Sequence, residues 1–190
     1  MRIITFILFF IGSMVQLQAR QLEDVVFEEQ IKISGVNSEL KLNGLGIRYK
    51  FFFKVYIAAL YVEKNSHKAD VIINDSGAKR IRMHFLYDEV TKEKLVNGWL
   101  EGFENNLTKQ DYQRLKPKID LFNNLFETVN KGDQILLDYL PGKGTRVTIK
   151  GKPRAVIDGT DFYAAIMKIW LGDSPVKEDL KNALLGIDDD

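Results

Sequence analysis

Apolar and polar residues alternate with a period of two along several stretches of the chain, the pattern of half-buried β-strands. Residues 24–33 (DVVFEEQIKI) predict a first strand. Residues 39–48 and 52–62 predict two more, joined by a tight connection about Tyr49 to Phe51. Residues 79–87 (KRIRMHFLY) alternate strictly: Ile81, Met83 and Phe85 face one way, and Arg80, Arg82 and His84 the other. The stretches QILLDYL, TRVTIKG and PRAVIDG predict short strands toward the C-terminus, with Gly142, Gly144 and Gly151 marking hairpin turns.

The spacing changes over residues 91–107. Leu95, Trp99 and Phe103 recur every four residues behind Thr91, an N-cap, and Glu93 adds negative charge at the helix N-terminus. Residues 110–129 predict two helical pieces divided at Pro117, because proline interrupts the hydrogen-bond ladder. Residues 160–172 and 176–186 predict two further helices, each stopped by glycine. KNSHKAD (residues 64–70) reads as solvated loop charge, and the terminal DDD as a solvated tail. Strands and helices in this mixture, with no repeat or linker, predict one α+β domain with an antiparallel sheet.

A length of 190 residues suits a single domain with a sizeable core. With 27 basic against 26 acidic residues, the net charge does not point to nucleic acid or to an anionic surface. The chain has no cysteine, and His67 and His84 stand alone, so neither a metal nor another cofactor is expected. Residues 1–19 differ from the rest. Arg2, an apolar run of 13 residues over positions 3–15, and Leu17–Gln18–Ala19 have the order of a secretory signal peptide cleaved before Arg20. That run is short of the roughly 20 residues a spanning helix needs, so no stable membrane anchor is expected. The expectation is a periplasmic or otherwise secreted domain over residues 20–190.

One residue raises a question about chemistry. Arg48 closes the segment GLGIR at the entrance to a strongly apolar strand pair. Gly44 and Gly46 lack the third glycine and the following helix of a dinucleotide site, and instead suit a close backbone approach or a bulge beside a pocket. Tyr56 and Tyr61, five apart, point to opposite faces of their strand. An inward Arg48 with the Tyr56 hydroxyl nearby would form a carboxylate receptor, a planar fork plus a neutral donor. The alternative is an Arg48 whose stem lies over the sheet and whose head is in water. No paired carboxylates and no nucleophilic serine context stand out, and Trp99 and Trp170 on apolar helix faces read first as core.

Four stretches, LNGLGIRYKFFFKVYIAALYVEK, GFENN, NKGDQILLDYLPGKGTRVTIKGK and DFYAAIMKIWLGDSP with LKNALLG, resemble the bacterial chalcone-isomerase-like family, in the expected order and over nearly all of the chain beyond the leader. The resemblance implies an open-faced β-sandwich: a large antiparallel sheet, helices layered on one side, and a ligand cleft between them. It also implies kinship with chalcone isomerases, non-catalytic helpers and fatty-acid-binding proteins. Arg48 is the nearest match to the isomerases' substrate-polarising arginine, and Tyr56 falls where they carry a threonine. Asn106 matches their helix asparagine, but Trp99 stands where they have a tyrosine. Their upstream lysine falls near Val90, with Lys92 and Lys94 close by.

A phenoxide attack on an enone needs donors aimed at the developing enolate, and an indole N–H is a poor substitute for a tyrosine hydroxyl in that task. These residues therefore predict a non-catalytic protein that binds a small amphipathic acid such as a fatty acid. Arg48 and Tyr56 would hold the carboxylate, with Asn106 nearby and Phe85, Trp99 and Phe103 along the tail. The alternatives are an intramolecular lyase or isomerase using Arg48 as electrophile, and a protein-interaction module whose cleft is filled by its own side chains. The volume of the cleft distinguishes the first from the last.

Overall fold

A computed structural model describes residues 19–187. The leader read over residues 1–19 lies outside the described residues except for Ala19. Ala19 starts strand β1 (Ala19–Leu22), which forms a separate antiparallel hairpin with β2 (Val25–Glu28). The single strand expected over 24–33 is thus two, β2 and β3 (Gln30–Lys32). β3 joins the main sheet through β4 (Glu39–Lys50), followed by β5 (Phe53–Val62), the short helix α1 (Ala69–Asn74) and β6 (Lys79–Phe85). Helix α1 corrects the loop reading of KNSHKAD at its end: Ile72 is buried, so the segment is anchored to the core.

Strand β7 (Glu89–Val90) leads into helices α2 (Lys92–Asn106) and α3 (Lys109–Asn124), and β8 (Val129–Asn130) pairs back with β7. Strands β9 (Gln134–Leu140), β10 (Gly144–Ile149) and β11 (Lys152–Ile157) form a meander, and α4 (Thr160–Leu171) and α5 (Glu178–Leu184) end the fold. Helix α3 also corrects an expectation. It runs unbroken through Pro117, because Leu115 before the proline and Ile119 and Phe122 after it are all buried along one face. Packing on both sides offsets the hydrogen bond that proline cannot make.

The main sheet has seven strands in the order β11-β10-β9-β6-β5-β4-β3, every neighbouring pair antiparallel. Helices cover one face, giving the α+β open-faced sandwich. Side chains that alternate along β5 separate two cores. Tyr56, Ala58, Leu60 and Val62 pack under the helices, while Ile57, Ala59 and Tyr61 pack on the other face with Phe27 and Leu40. The strict alternation of β6 does the same, burying Ile81, Met83 and Phe85 under the helices. Gly44 and Gly46 serve the helix layer. A Cβ at Gly44 would lie 2.1 Å from the Ala183 carbonyl oxygen, and one at Gly46 would lie 2.6 Å from the Ala183 Cβ. These glycines let α5 seat on β4, so the close approach is there but it faces a helix.

Candidate ligand-binding site

A cavity of about 450 Å3 opens beside the β4–β5 hairpin, between the helix face of the sheet, α2 and the loop Ser174–Val176. Its sheet wall follows from strand register. Arg48 of β4 is directly opposite Tyr56 of β5, and Tyr56 is directly opposite Phe85 of β6, so the three side chains share one face. The Tyr56 and Phe85 rings lie 5.7 Å apart. The opposite wall comes from α2 through Leu95, Gly98, Trp99 and Asn105. A Cβ built on Gly98 meets nothing within 4 Å, so this position opens onto empty space. Gly102, one turn further, has the opposite role: its missing Cβ lets Ile169 of α4 approach to where that carbon would be 2.8 Å away.

Of the expected site residues, Arg48, Tyr56, Phe85 and Trp99 line this cavity, and Phe103 and Asn106 do not. Phe103 is fully buried behind it, with ring centroids 6.1 Å from Phe122 and 6.0 Å from Phe162. The period of four that placed Phe103 with Trp99 is right for the buried face, but the cavity touches α2 one turn nearer its start and at Asn105. Asn106 works at one remove. Its Nδ2 donates to the Ser174 carbonyl at 2.8 Å, and its Oδ1 accepts from the Ser174 N–H at 3.1 Å. It thereby holds the loop whose Ser174 and Pro175 form part of the wall.

Arg48 is half-buried and faces the helix layer. Nη1 donates to the Tyr49 carbonyl, leaving the rest of the guanidinium fork for another partner. Tyr56 is buried, and its hydroxyl oxygen accepts the Trp170 indole N–H at 3.1 Å. Burial pushes the Tyr56 hydroxyl up to about 12, against the downward pull of the Trp170 hydrogen bond and the Arg48 charge. Near neutral pH Tyr56 is therefore an uncharged donor beside a cation. Trp99 packs on Trp170 at 5.7 Å and on Phe126 at 5.3 Å, and its own Nε1 is buried with no hydrogen-bond partner. Lys50, Lys94, Glu89 and Glu101 line the cavity from exposed rim positions, so the charge set into the wall is that of Arg48.

Sequence reasoning missed the rim and the second tier of the site. Lys94 appeared only as a neighbour of an expected lysine, and Trp170 only as core, though it fixes the Tyr56 hydroxyl. Gly98 was missed as well, although there was a signal for it: a glycine inside an amphipathic helix costs stability unless space or approach requires it. The arrangement can bind an anion through two kinds of donor and accept an apolar body between Phe85, Met83, Leu95 and Trp99.

Residues 19–186 match the chalcone isomerase-like family. The fold is similar to that of a crystal structure of an Arabidopsis thaliana fatty-acid binding protein, with a TM-score of 0.69, 16% sequence identity, and coverage of 88% of this chain and 96% of that one. No curated protein matches the chain in sequence.

Proposed function

We propose that this chain, which belongs to the chalcone isomerase-like family, is a non-catalytic binder of a small amphipathic carboxylic acid of the fatty-acid type. The observation that carries the reading is the pairing of half-buried Arg48 with the neutral Tyr56 hydroxyl on the wall of an otherwise largely apolar cavity of about 450 Å3. A guanidinium taken partly out of water needs partners, and a carboxylate accepting from the fork and from Tyr56 supplies them. The fatty-acid ligand of the similar plant protein supports the same class of ligand. The open volume also counts against a cleft filled by its own side chains. Trp99 in place of a tyrosine leaves no hydroxyl on α2 for enolate chemistry, and the cavity's carboxylates, Glu89 and Glu101, are exposed at the rim.

The test is calorimetric titration with a long-chain fatty acid. Arg48→Ala is expected to weaken binding by roughly ten- to a hundredfold, the usual worth of a charge-assisted hydrogen bond. Arg48→Lys is expected to weaken it too, since an ammonium cannot present two parallel donors. Both variants should keep the fold. Equal affinities in all three proteins would make Arg48 a structural residue and overturn the reading. Export belongs to the same proposal: the mature chain begins near Arg20, and N-terminal sequencing of the protein from its host that found Met1 would refute it.

A further inference from the structure

At the mouth of the cavity the β4–β5 hairpin ends in an apolar surface that no fold requirement explains. Phe51, Phe52 and Phe53 are exposed by 86%, 80% and 45%, with Tyr49 and Tyr87 beside them. Phe53 contacts Phe52 at 4.3 Å and Tyr87 at 5.6 Å between ring centroids, so the rings form one cluster. At roughly 150–250 Å2 per aromatic side chain, the exposed part is on the order of 400 Å2, within the range of the largest apolar patch on a typical monomer, which is often functional. Phe51 holds this position at φ +55°, a left-handed conformation that bulky residues rarely adopt.

Two further features indicate what the patch meets. Phe51, Phe53 and Tyr87 are also lining residues of the cavity, so the surface runs unbroken from the tip into the site. Lysines flank the rings on both strands: Lys50 is exposed, and Lys54 is exposed and held by Glu23 at 2.7 Å. Aromatic rings at a projecting tip with cations just behind them match the layering of a bilayer interface, rings at the acyl boundary and ammonium groups among anionic headgroups.

We propose that the hairpin tip is a transient docking element for an anionic lipid bilayer, through which an amphipathic ligand passes between membrane and cavity. The ligand part rests on the function proposed above; the docking part stands on the tip itself. The contact is shallow and reversible, since three rings and one free lysine make no permanent anchor.

The experiment uses the full chain carrying Phe52→Trp, mixed with vesicles of phosphatidylcholine and phosphatidylglycerol whose acyl chains are brominated. Trp99 and Trp170 are common to both variants below, so the difference between the variants reports the introduced tryptophan. The apolar run over residues 3–15 could itself bring the chain to vesicles, so the readout must be local. Val156→Trp, at a 51% exposed position on the opposite edge strand, is the comparison. The expected result is a blue shift and at least twofold quenching for the tryptophan at 52, little for that at 156, and loss of the effect when Lys50→Glu is added. Equal quenching at the two positions, or none at 52, would overturn the proposal. So would a blue shift that grows with protein concentration in the absence of vesicles, which would assign the patch to a second copy of the chain. Titration of the same Phe52→Trp protein with a fatty acid in vesicle-free buffer separates the two ideas: failure there removes the ligand and leaves the docking.

Discussion

At the scale of single residues, the site depends on what burial does to polar groups. Tyr56 is kept protonated, Arg48 is kept short of partners, and the Trp99 indole N–H is left with none among the described residues. His84 shows the same effect on the other face of the sheet. Its Nδ1 is buried without a partner, and its pKa is lowered from 6.5, first by burial and then by the Arg82 charge. A histidine whose folded pKa is depressed binds protons more readily unfolded, so its contribution to stability is complete above about pH 6.5 and is lost as pH falls through the lower folded value. The melting temperature is expected to drop on going from pH 7.5 to 5.5, and His84→Gln should flatten that slope; parallel curves for the two proteins would refute this. Arg48 and Tyr56 were legible as a pair from sequence, since a guanidinium before an apolar strand is conspicuous. Whether they shared a face was not legible, because the connection at Tyr49 to Phe51 lies between them and a register shift occurs between Arg48 and Tyr49.

At the scale of elements, α2 and α3 carry opposite lessons. Thr91 caps α2 as its sequence predicts, accepting from the Lys94 N–H at 3.4 Å, and Leu95, Trp99 and Phe103 are all buried. What periodicity cannot show is which helix position faces a void and which faces a neighbour. Gly98 and Gly102 look alike in sequence, yet one opens on the cavity and the other on Ile169. Gly98→Leu is therefore expected to leave stability unchanged or raise it by about 0.5–1 kcal/mol through helix propensity, while filling the cavity and lowering fatty-acid affinity at least tenfold. Calorimetry and thermal melting on one preparation check both halves. In α3 the local rule failed because it was outweighed. Pro117 is exposed and has no N–H for the helix ladder, but the buried stripe on either side holds the helix straight through it. Pro117→Ala should stabilise the protein by on the order of 1–3 kcal/mol, read as a shift of the urea midpoint. A midpoint that did not move would mean that the proline also helps through the unfolded chain.

At the scale of the whole molecule, the central strands must satisfy two layers at once. Alternation along β6 was legible from sequence, the apolar run of β5 marked a buried strand, and the resemblance supplied the topology. The link between the layers was not legible, because it depends on strands far apart in sequence lying side by side. Asp138 of β9 is fully buried on the face away from the helices, between Arg80 of β6 and Arg146 of β10. Arg80 donates to it at 2.5 and 2.9 Å, Arg146 at 3.1 and 2.7 Å, and Arg146 Nη1 reaches the Ser34 carbonyl at 2.8 Å. Three strands thus meet at one carboxylate, and Arg146 ties the β3–β4 connection to them. Two guanidinium groups, mostly buried, depend on it for their counter-charge. Removing one member of such a cluster leaves an uncompensated charge, whereas replacing the whole cluster by apolar residues of similar volume does not. Asp138→Asn is therefore expected to cost about 3–5 kcal/mol in urea unfolding, with an unchanged slope. The triple variant Arg80→Met, Asp138→Leu, Arg146→Met should recover most of that loss, and neither protein should lose fatty-acid binding under conditions where it is folded, because the cavity is on the other face of the sheet. A loss under 1 kcal/mol for Asp138→Asn would show that the solvent reaching the arginine heads, 16% and 18% exposed, already screens the cluster, and that the sheet is held by its two apolar cores alone.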